Sequence, residues 1–208
     1  MKKNSIQDCR LYVILDRSVV PEDPVPVALA AIRGGADVIQ WRDKSSGERE
    51  FLETAQFLRE CTRRGGALFV VNDRVEAALR VGADGIHVGH EDLPVRQVRA
   101  QVGPGVLIGR STHSLEEALQ AQADGADYLG VGPVFSTPTK PAYRPVGLDL
   151  LDQVRAHIQI PWFAIGGIDL QNLPLVLSKG AARVAVVRAV AAASDPEAAA
   201  RAFKGLLP

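Results

Sequence analysis

The chain has 208 residues, 47% of them hydrophobic and 23% charged, which is an ordinary composition for a folded globular protein. Its 24 Lys and Arg residues balance its 24 Asp and Glu residues, so the positive charge excess of a general nucleic-acid or anionic-membrane binder is missing. Two cysteines without a CxxC spacing give neither a disulfide framework nor a zinc motif, and no stretch reads as a signal peptide or a membrane span, so we expect a cytoplasmic protein.

Short apolar runs alternate with segments of helical period along the chain. In order, the eight runs are LYVIL (11–15), DVIQW (37–41), ALFVV (67–71), GIHVG (85–89), VLIGR (106–110), YLGVG (128–132), WFAIG (162–166) and RVAVV (183–187). Such alternation is typical of βα units on a parallel sheet. The tripeptide Gly-Ala-Asp recurs at 35–37, 82–84 and 125–127, each time where a helix ends before the next strand.

Eight βα units without a Pro/Gly/Ser-rich linker predict an α/β protein with one compact (βα)8 TIM barrel domain over residues 1–208. The alternative is an open doubly wound sheet. That fold normally carries a glycine-rich phosphate turn after its first strand, and LYVILDRSVVPEDP (11–24) has none. The barrel is therefore the favoured prediction.

Polar side chains collect where the predicted strands end. In a barrel, the loops that follow the strands build the active face. The sequences at these points are IQWRDK (39–44), VVNDR (70–74), HVGHED (87–92), GRSTH (109–113), GPVFSTPTK (132–140), AIGGI (164–168) and VVRA (186–189). The opposite ends consist mostly of Gly, Ala and Asp, so we place the functional site at the carboxyl ends of the strands.

The second strand ends in two cations and an amide. Because side chains alternate along a strand, Gln40, Arg42 and Lys44 lie on one side, with Trp41 and Asp43 on the other. Such a group suits a ligand rich in oxyanions, since Arg offers a bidentate fork and Lys a point charge. The alternative is a solvated strand end at which Asp43 pairs with the cations.

Two carboxylates follow neighbouring strands, Asp73 after the third and Asp92 after the fourth. Mg²⁺ is usually held by one or two carboxylates, and substrate phosphates and water complete its coordination. Alternatively, Asp73 caps a helix that begins near Arg74, and Asp92 caps one that begins at Pro94. We favour the metal site because both carboxylates face the cations of the second strand.

The glycine pair in AIGGI allows the backbone to approach a ligand closely. Loops after strands seven and eight commonly bind phosphate in barrels, although a tight turn also requires glycine. The segment STPTKPAYRPVG (136–147) is the longest one without helical pattern, which indicates a lid or binding loop, or else a rigid exposed connector. Of the four histidines, only His113 is placed for chemistry, and we assign no metal to any of them.

These motifs occur together in one known family. Thiamine-phosphate synthase is the family that the chain resembles, through IQWRDK, VVNDR, ADGIHVGHEDLP (83–94), GRSTHSLEEA (109–118), DYLGVGPVFSTPTKP (127–141) and FAIGGI (163–168), in this order across nearly the whole chain. The resemblance implies a transferase that joins 4-amino-5-hydroxymethyl-2-methylpyrimidine diphosphate to a thiazole phosphate. The products are thiamine phosphate and pyrophosphate, with CO₂ as well when the thiazole is carboxylated. It also implies Mg²⁺ as the cofactor and a dissociative displacement, in which the pyrimidine CH₂–O bond ionises before the thiazole nitrogen adds.

The resemblance further implies a role for each matching residue. The implied pyrimidine diphosphate contacts are Gln40, Arg42, Lys44, Asn72, Ser111 and Lys140. Three of these, Arg42, Ser111 and Lys140, are implied in catalysis. The implied Mg²⁺ ligands are Asp73 and Asp92. The implied thiazole phosphate contacts are Thr137, Thr139, Gly167 and Val187, to which we add Arg188.

Two residues depart from the family pattern. The pattern ends the eighth strand with a small hydroxyl side chain where this chain has Arg188, and it has Gln where this chain has His90. Arg188 either contacts phosphate or points away from the site. We favour a side chain at the rim, because an outward one would emerge among apolar helix-packing residues.

Two other functions stay open at this level. A thiazole tautomerase shares the barrel and several motifs, but it resembles a pattern with His in place of Pro133 and without the second metal Asp. A non-catalytic paralogue that binds phosphate ligands would have lost metal or diphosphate residues, and the sequence retains them. We therefore expect small-molecule substrates and neither nucleic acid nor membrane as a partner, while a homo-oligomer is left open.

Overall fold

A computed structural model describes residues 5–139 and 144–208, which alternate between strands and helices. The strands are β1 (Leu11–Asp16), β2 (Val38–Arg42), β3 (Leu68–Asn72), β4 (Gly85–Val88), β5 (Leu107–Thr112), β6 (Tyr128–Val131), β7 (Trp162–Ile165) and β8 (Val184–Val186). The helices are α1 (Val25–Arg33), α2 (Glu48–Gly65), α3 (Val75–Arg80), α4 (Val95–Val102), α5 (Leu115–Ala123), α6 (Asp149–His157), α7 (Leu173–Ser178), α8 (Arg188–Ala191) and α9 (Pro196–Leu206). Within the described ranges, no helix has both the length and the apolar character to cross a membrane.

The eight strands form a closed barrel in sequence order, and every pairing is parallel. Closure comes from β1, which pairs with β2 on one side and with β8 on the other, where Tyr12 lies opposite Ala185. The predicted (βα)8 barrel is therefore confirmed, and the open doubly wound sheet is wrong. Each predicted apolar run overlaps its strand and differs from it by no more than a few residues at either end.

Alternation along the strands produces two apolar cores. The outer core lies between the strands and the surrounding helices and includes Ile39 and Trp41 of β2. The inner core fills the barrel interior with large side chains, among them Tyr12, Tyr128 and Phe163. A barrel of eight strands is just wide enough for its interior to be filled by side chains in this way. Polar groups are consequently displaced to the mouth of the barrel.

The Gly-Ala-Asp turns fasten neighbouring strands at the amino-terminal end of the barrel. The glycine of each turn has a positive φ, which ends the preceding helix. Each Asp carboxylate accepts a hydrogen bond from a backbone N–H at the start of the preceding strand: Asp37 from Leu11 (2.9 Å), Asp84 from Phe69 (2.9 Å) and Asp127 from Ile108 (2.7 Å). Each also pairs with a cation, namely Lys204, Arg59 and Arg99 respectively. The repeated tripeptide is thus a structural fastening on the face opposite the polar mouth.

Removal of one such carboxylate is expected to destabilise the fold without affecting the mouth of the barrel. Asp84 is buried, and both of its oxygens accept from Arg59, at 3.1 and 3.2 Å. Asp84→Ala leaves a half-buried guanidinium and a buried N–H without this acceptor, so we expect it to lower the free energy of unfolding by about 3 kcal/mol. Urea denaturation measures the change. Glu60→Ala, which removes an exposed carboxylate from α2, should leave the midpoint nearly unchanged; equal midpoint shifts in the two variants would contradict this role.

Candidate active site

A cavity with a volume of about 460 Å³ opens at the carboxyl ends of the strands and is called the main cavity below. It lies where the polar strand ends predicted a site, and strand or loop residues from most units of the barrel contribute to its wall. The predicted site residues that line it are Gln40, Arg42, Asn72, Ser111, Thr137, Thr139, Gly167, Val187 and Arg188. Lys140, also predicted to contact a ligand, lies outside the described residues.

A smaller polar cavity of about 50 Å³ adjoins the first one. It contains the remaining predicted residues, Lys44, Asp73 and Asp92. Arg42, Asn72 and Ser111 line both cavities. The structure therefore brings the described site residues together in two connected compartments, one rich in charge and the other bordered by glycine backbone.

The end of β2 is built as its alternation predicts. Gln40 is 2% exposed and donates a hydrogen bond from its side-chain amide to the Tyr12 hydroxyl, at 2.7 Å. Trp41 points outward into the helix-packing core. Arg42 forms an ion pair with the buried carboxylate of Asp16, which ends β1 and also accepts a hydrogen bond from the Ser18 hydroxyl at 2.6 Å. Because Asp16 holds one side of the guanidinium, Arg42 enters the site with a fixed orientation.

The small cavity combines two carboxylates with a cation. Lys44 Nζ lies 2.9 Å from Asp73 Oδ2, and the Asp73 carboxyl is hydrogen-bonded to that of Asp92. Burial raises the pKa of Asp73 and the Asp92 carboxyl raises it further, while Lys44 opposes both effects. Asp92 accepts a hydrogen bond from the Gly89 N–H at 2.7 Å. The N-cap residues of α3 and α4 are Arg74 and Pro94, so neither Asp73 nor Asp92 occupies the N-cap position that the capping alternative requires.

The unfavourable environment of Asp73 leads to a stability prediction. Its φ of 60° is tolerated by Asn as well as by Asp. The pKa of Asp73 is higher in the folded state than in the unfolded state, so the folded state favours the protonated carboxyl. Folding is therefore most stable below the unfolded pKa, and this stability is lost as the pH rises through the folded pKa. Asp73→Asn should therefore be more stable than the parent protein at pH 7 in chelator, by about 0.5 to 2 kcal/mol, and the difference should vanish below about pH 4. Thermal unfolding at both pH values tests this, and an equal or lower melting temperature for the variant at pH 7 would contradict it.

A hydrogen-bonded network extends from the site into the barrel interior. Ser111 Oγ lies 2.9 Å from His87 Nε2, and His87 Nδ1 lies 3.3 Å from the Tyr128 hydroxyl. The Tyr128 hydroxyl is in turn 3.0 Å from that of Tyr12, which accepts from Gln40. Burial raises the pKa of both tyrosines, so their hydroxyls stay protonated. The network fixes Gln40 and Ser111, the two uncharged side chains at its ends.

Two histidines lie at the site, although only His113 was predicted there and His87 was assigned no role. The structure places both at the wall of the main cavity. His113 Nδ1 is hydrogen-bonded to the Gly132 carbonyl oxygen, which precedes the cis-proline Pro133. Space for the His87 ring comes from Gly109, where a Cβ atom would lie only 2.5 Å from His87 Nδ1. A glycine inside an apolar strand is the signal that could have revealed this close approach.

The glycine pair after β7 forms the opposite wall of the main cavity. Gly166 and Gly167 both have positive φ values, 102° and 63°. A Cβ atom on Gly167 would lie 2.5 Å from the Ser136 carbonyl oxygen. This position therefore requires glycine both for its positive φ and for the lack of space for a side chain. The Asn172 side chain donates to the Gly167 carbonyl oxygen at 2.8 Å and holds the turn.

The eighth strand ends at Val186, two residues before Arg188. Ala185 packs in the barrel interior whereas Val184 and Val186 belong to the outer core, so simple alternation would send Arg188 outward. Instead the backbone turns at Val187, with φ −111° and ψ −89°, and Arg188 begins α8. Its exposed side chain lines the main cavity. The prediction of a rim position is confirmed, and the assignment of Arg188 to the strand end is wrong.

The fold and the site together define a class of protein: a (βα)8 barrel with two adjoining cavities at the carboxyl ends of its strands, one lined by charged side chains and the other bordered by glycine backbone. Residues 11–190 match the family model described as thiamine monophosphate synthase. The chain belongs to this family, as the sequence motifs predicted.

Individual relatives agree with this assignment. A thiamine-phosphate synthase of Chloroflexus aurantiacus is 50% identical over 204 residues, which cover 97% of this chain and 94% of the relative. One of Gloeobacter violaceus is 52% identical over 187 residues, covering 90% of this chain and 54% of the relative, so the chain spans about half the length of that protein. A solved thiamine phosphate pyrophosphorylase from Pyrococcus furiosus matches with a TM-score of 0.90 at 42% identity, covering 97% of this chain and 96% of that one. These names support the synthase prediction and give no support to a tautomerase or a non-catalytic paralogue.

Proposed function

We propose that the protein joins 4-amino-5-hydroxymethyl-2-methylpyrimidine diphosphate to thiazole phosphate, forming thiamine phosphate and releasing pyrophosphate. The observation that carries the proposal is the pair of cavities that share Arg42, Asn72 and Ser111. A reaction between two phosphorylated substrates requires two anion sites with a common boundary at which the reacting atoms meet. Holding both substrates in line there lowers the barrier by proximity and orientation.

The diphosphate binds in the charged compartment, which is the small cavity. Arg42 and Lys44 supply positive charge, and Asn72 and Ser111 supply hydrogen bonds at its boundary. These groups bind the leaving pyrophosphate and offset the negative charge that develops on it as the CH₂–O bond breaks. Gln40, fixed by Tyr12, is positioned to orient the pyrimidine ring through its amide. Such a displacement needs little proton transfer, so the chemistry does not require a general acid–base pair.

The donor set in the small cavity fits Mg²⁺. Asp73 and Asp92 bring two hydrogen-bonded carboxyls together in a polar compartment. Two ionised carboxylates at this separation repel each other, which favours a proton between them. A bound cation would take the place of that proton. When bound, Mg²⁺ would neutralise charge on the diphosphate. Asp73 and Asp92 would hold the ion, and Lys44, now paired with Asp73, would be available to the phosphate oxygens.

The thiazole phosphate binds in the glycine compartment, which is the main cavity. Thr137, Thr139 and Gly167 line it, and the buried Thr139 hydroxyl has no hydrogen-bond partner among the described residues. A buried polar atom without a partner costs free energy, and a phosphate oxygen would provide that partner. Val187 contributes backbone at the same rim, next to Arg188.

The direct test is an assay of purified protein with Mg²⁺ and both substrates. We expect release of pyrophosphate and formation of thiamine phosphate, and both should depend on each substrate. Pyrophosphate release without the thiazole substrate would point to hydrolysis, and absence of thiamine phosphate would overturn the proposal. Comparison of carboxylated with decarboxylated thiazole phosphate would then establish which one the enzyme prefers.

Arg188 is expected to strengthen thiazole phosphate binding. No hydrogen bond or ion pair of its side chain is seen within residues 5–139 and 144–208, so the guanidinium is available at the rim of the glycine compartment. Arg188→Ala removes a charge-assisted contact at an exposed position, so we expect it to raise the thiazole phosphate KM by about tenfold.

Steady-state kinetics of Arg188→Ala and Arg188→Ser test this, with Arg201→Ala as the control because Arg201 pairs with Glu197 on α9. An unchanged KM in both Arg188 variants would mean that backbone N–H groups around Gly167 and Val187 hold the phosphate without it.

A further inference from the structure

Arg74 holds the loop that carries Lys44. Its guanidinium donates two hydrogen bonds from Nη2, to the carbonyl oxygens of Asp43 (3.0 Å) and Ser46 (2.9 Å). These carbonyls stand on either side of Lys44 in the sequence. The guanidinium carbon lies 4.3 Å from the ring centroid of Phe51 in α2, which fixes the side chain from its other face. Arg74 follows directly after Asp73, the residue with which Lys44 pairs.

Arg110 holds the loop that carries Asp92 in the same manner. It donates from Nη2 to the His90 carbonyl oxygen (3.1 Å) and from Nη1 to the Leu93 carbonyl oxygen (3.3 Å). These two carbonyls stand on either side of Asp92, again three residues apart. Arg110 belongs to β5, the neighbour of β4 after which this loop begins, just as Arg74 follows β3, the neighbour of β2.

We propose that Arg74 and Arg110 are positioning residues, which fix the backbone of the two loops so that Lys44 and Asp92 face the diphosphate compartment. Each arginine spans two backbone carbonyl oxygens, and each comes from the next βα unit. Neither lines the small cavity, so neither is assigned a contact with the ligand. This inference rests on the proposed function for the identity of the ligand as a diphosphate.

The physical basis is preorganisation. Lys44 has a long side chain that is 59% exposed, and a mobile backbone would add further conformational freedom that ligand binding must remove. Fixing the loop in advance lowers that cost. The effect of each arginine should therefore pass through the residue that it positions, and it should be confined to the diphosphate side of the site.

The test uses Arg74→Met and Arg110→Met, which keep the length of the side chain and remove its donors. Binding of Mg²⁺-pyrophosphate to the full chain is measured by calorimetry, and the KM of each substrate is measured separately. We expect a five- to thirtyfold loss of pyrophosphate affinity and a similar rise in the pyrimidine diphosphate KM, with an unchanged thiazole phosphate KM.

Arg80→Met and Arg96→Met are the matched controls. Arg80 pairs with Glu48 and Arg96 with Asp124, so each also joins neighbouring helical units through an arginine, but within the described residues neither is seen to donate to a backbone carbonyl of the two loops. Both should retain full pyrophosphate affinity. If Arg74→Met does not fold, Arg74→Lys keeps the charge and one donor group, and it should show a smaller loss.

A double-variant comparison separates positioning from general loosening of the fold. In a Lys44→Ala background, Arg74→Met should cause little further loss of pyrophosphate affinity, because its effect is exerted through Lys44. Fully additive losses, unchanged pyrophosphate affinity, or an equal rise in the thiazole phosphate KM would overturn the proposal. If the parent forms no thiamine phosphate but the arginine variants still lose pyrophosphate affinity selectively, the proposed function fails and the positioning role stands. A parent that does not bind Mg²⁺-pyrophosphate would overturn the positioning role.

Discussion

Asp73→Ala and Asp92→Ala are each expected to lower kcat/KM for the pyrimidine diphosphate by about a hundred- to a thousandfold. Either change removes one of two carboxylates that would hold Mg²⁺ against the leaving pyrophosphate, and loss of a single electrostatic stabiliser typically has an effect of this size. Because the remaining carboxylate still binds the ion weakly, raised Mg²⁺ should restore part of the activity.

The measurement is a titration of activity with Mg²⁺ for the parent and both variants. Asp124→Ala serves as the control, since Asp124 pairs with Arg96 on the outside of the barrel. Both site variants should fold with melting temperatures near that of the parent, because the charge cluster that they remove is not a source of stability. Full activity of the parent in chelator would show that Asp73 and Asp92 have another role.

Gly167→Val is expected to abolish use of the thiazole phosphate, with a rise in its KM of more than about a hundredfold. The new Cβ would approach the Ser136 carbonyl oxygen at 2.5 Å and the Phe135 Cβ at 2.9 Å, and φ of 63° is strained for a β-branched side chain such as Val. The turn must therefore move, and backbone that approaches the phosphate moves with it. Binding of Mg²⁺-pyrophosphate in the other compartment should be retained.

Gly82 offers a matched control for this substitution. Its φ of 61° is nearly the same, but a Cβ there would meet nothing within 4 Å, and it lies at the opposite end of the barrel. Gly82→Ala and Gly167→Ala should thus share the backbone strain and differ in substrate use. Loss of thiazole phosphate binding in both variants, or of pyrophosphate binding in Gly167→Val, would contradict the division into two compartments.

The sequence predicted the barrel and the end of it at which most candidate site residues converge, because both depend on local patterns. Runs of β-branched residues mark the strands, and in a parallel barrel every strand ends at the same face, so polar residues at strand ends converge without knowledge of the packing. Gln40, Arg42, Asn72 and Ser111 were identified in this way and through the family resemblance. The two-compartment arrangement followed from the same assignments.

The features that were missed depend on contacts across the barrel. Tyr12 and Tyr128 are 116 residues apart in sequence, and their hydroxyls meet only because closure brings β1 and β6 to face each other across the interior. Asp16 reads as an ordinary turn residue after a strand until β1 and β2 are paired and its carboxylate is found against Arg42. Alternation could not place Arg188, because it fails where the chain leaves the strand at Val187.

The Gly-Ala-Asp fastenings divide the barrel into pairs of strands. Their carboxylates join β1 to β2, β3 to β4 and β5 to β6, whereas the corresponding position before β8 is Arg183, whose side chain donates to the Gln7 carbonyl oxygen. Hydrogen exchange should therefore reveal unequal opening, with the amides of Leu11, Phe69 and Ile108 exchanging slowly and those of β7 and β8 exchanging sooner. The pair without a carboxylate fastening, β7 and β8, is the one followed by the glycine turn and by the helix that begins at Arg188. Local opening is thus expected to be easiest in the part of the barrel to which the proposed function assigns the phosphorylated thiazole ring.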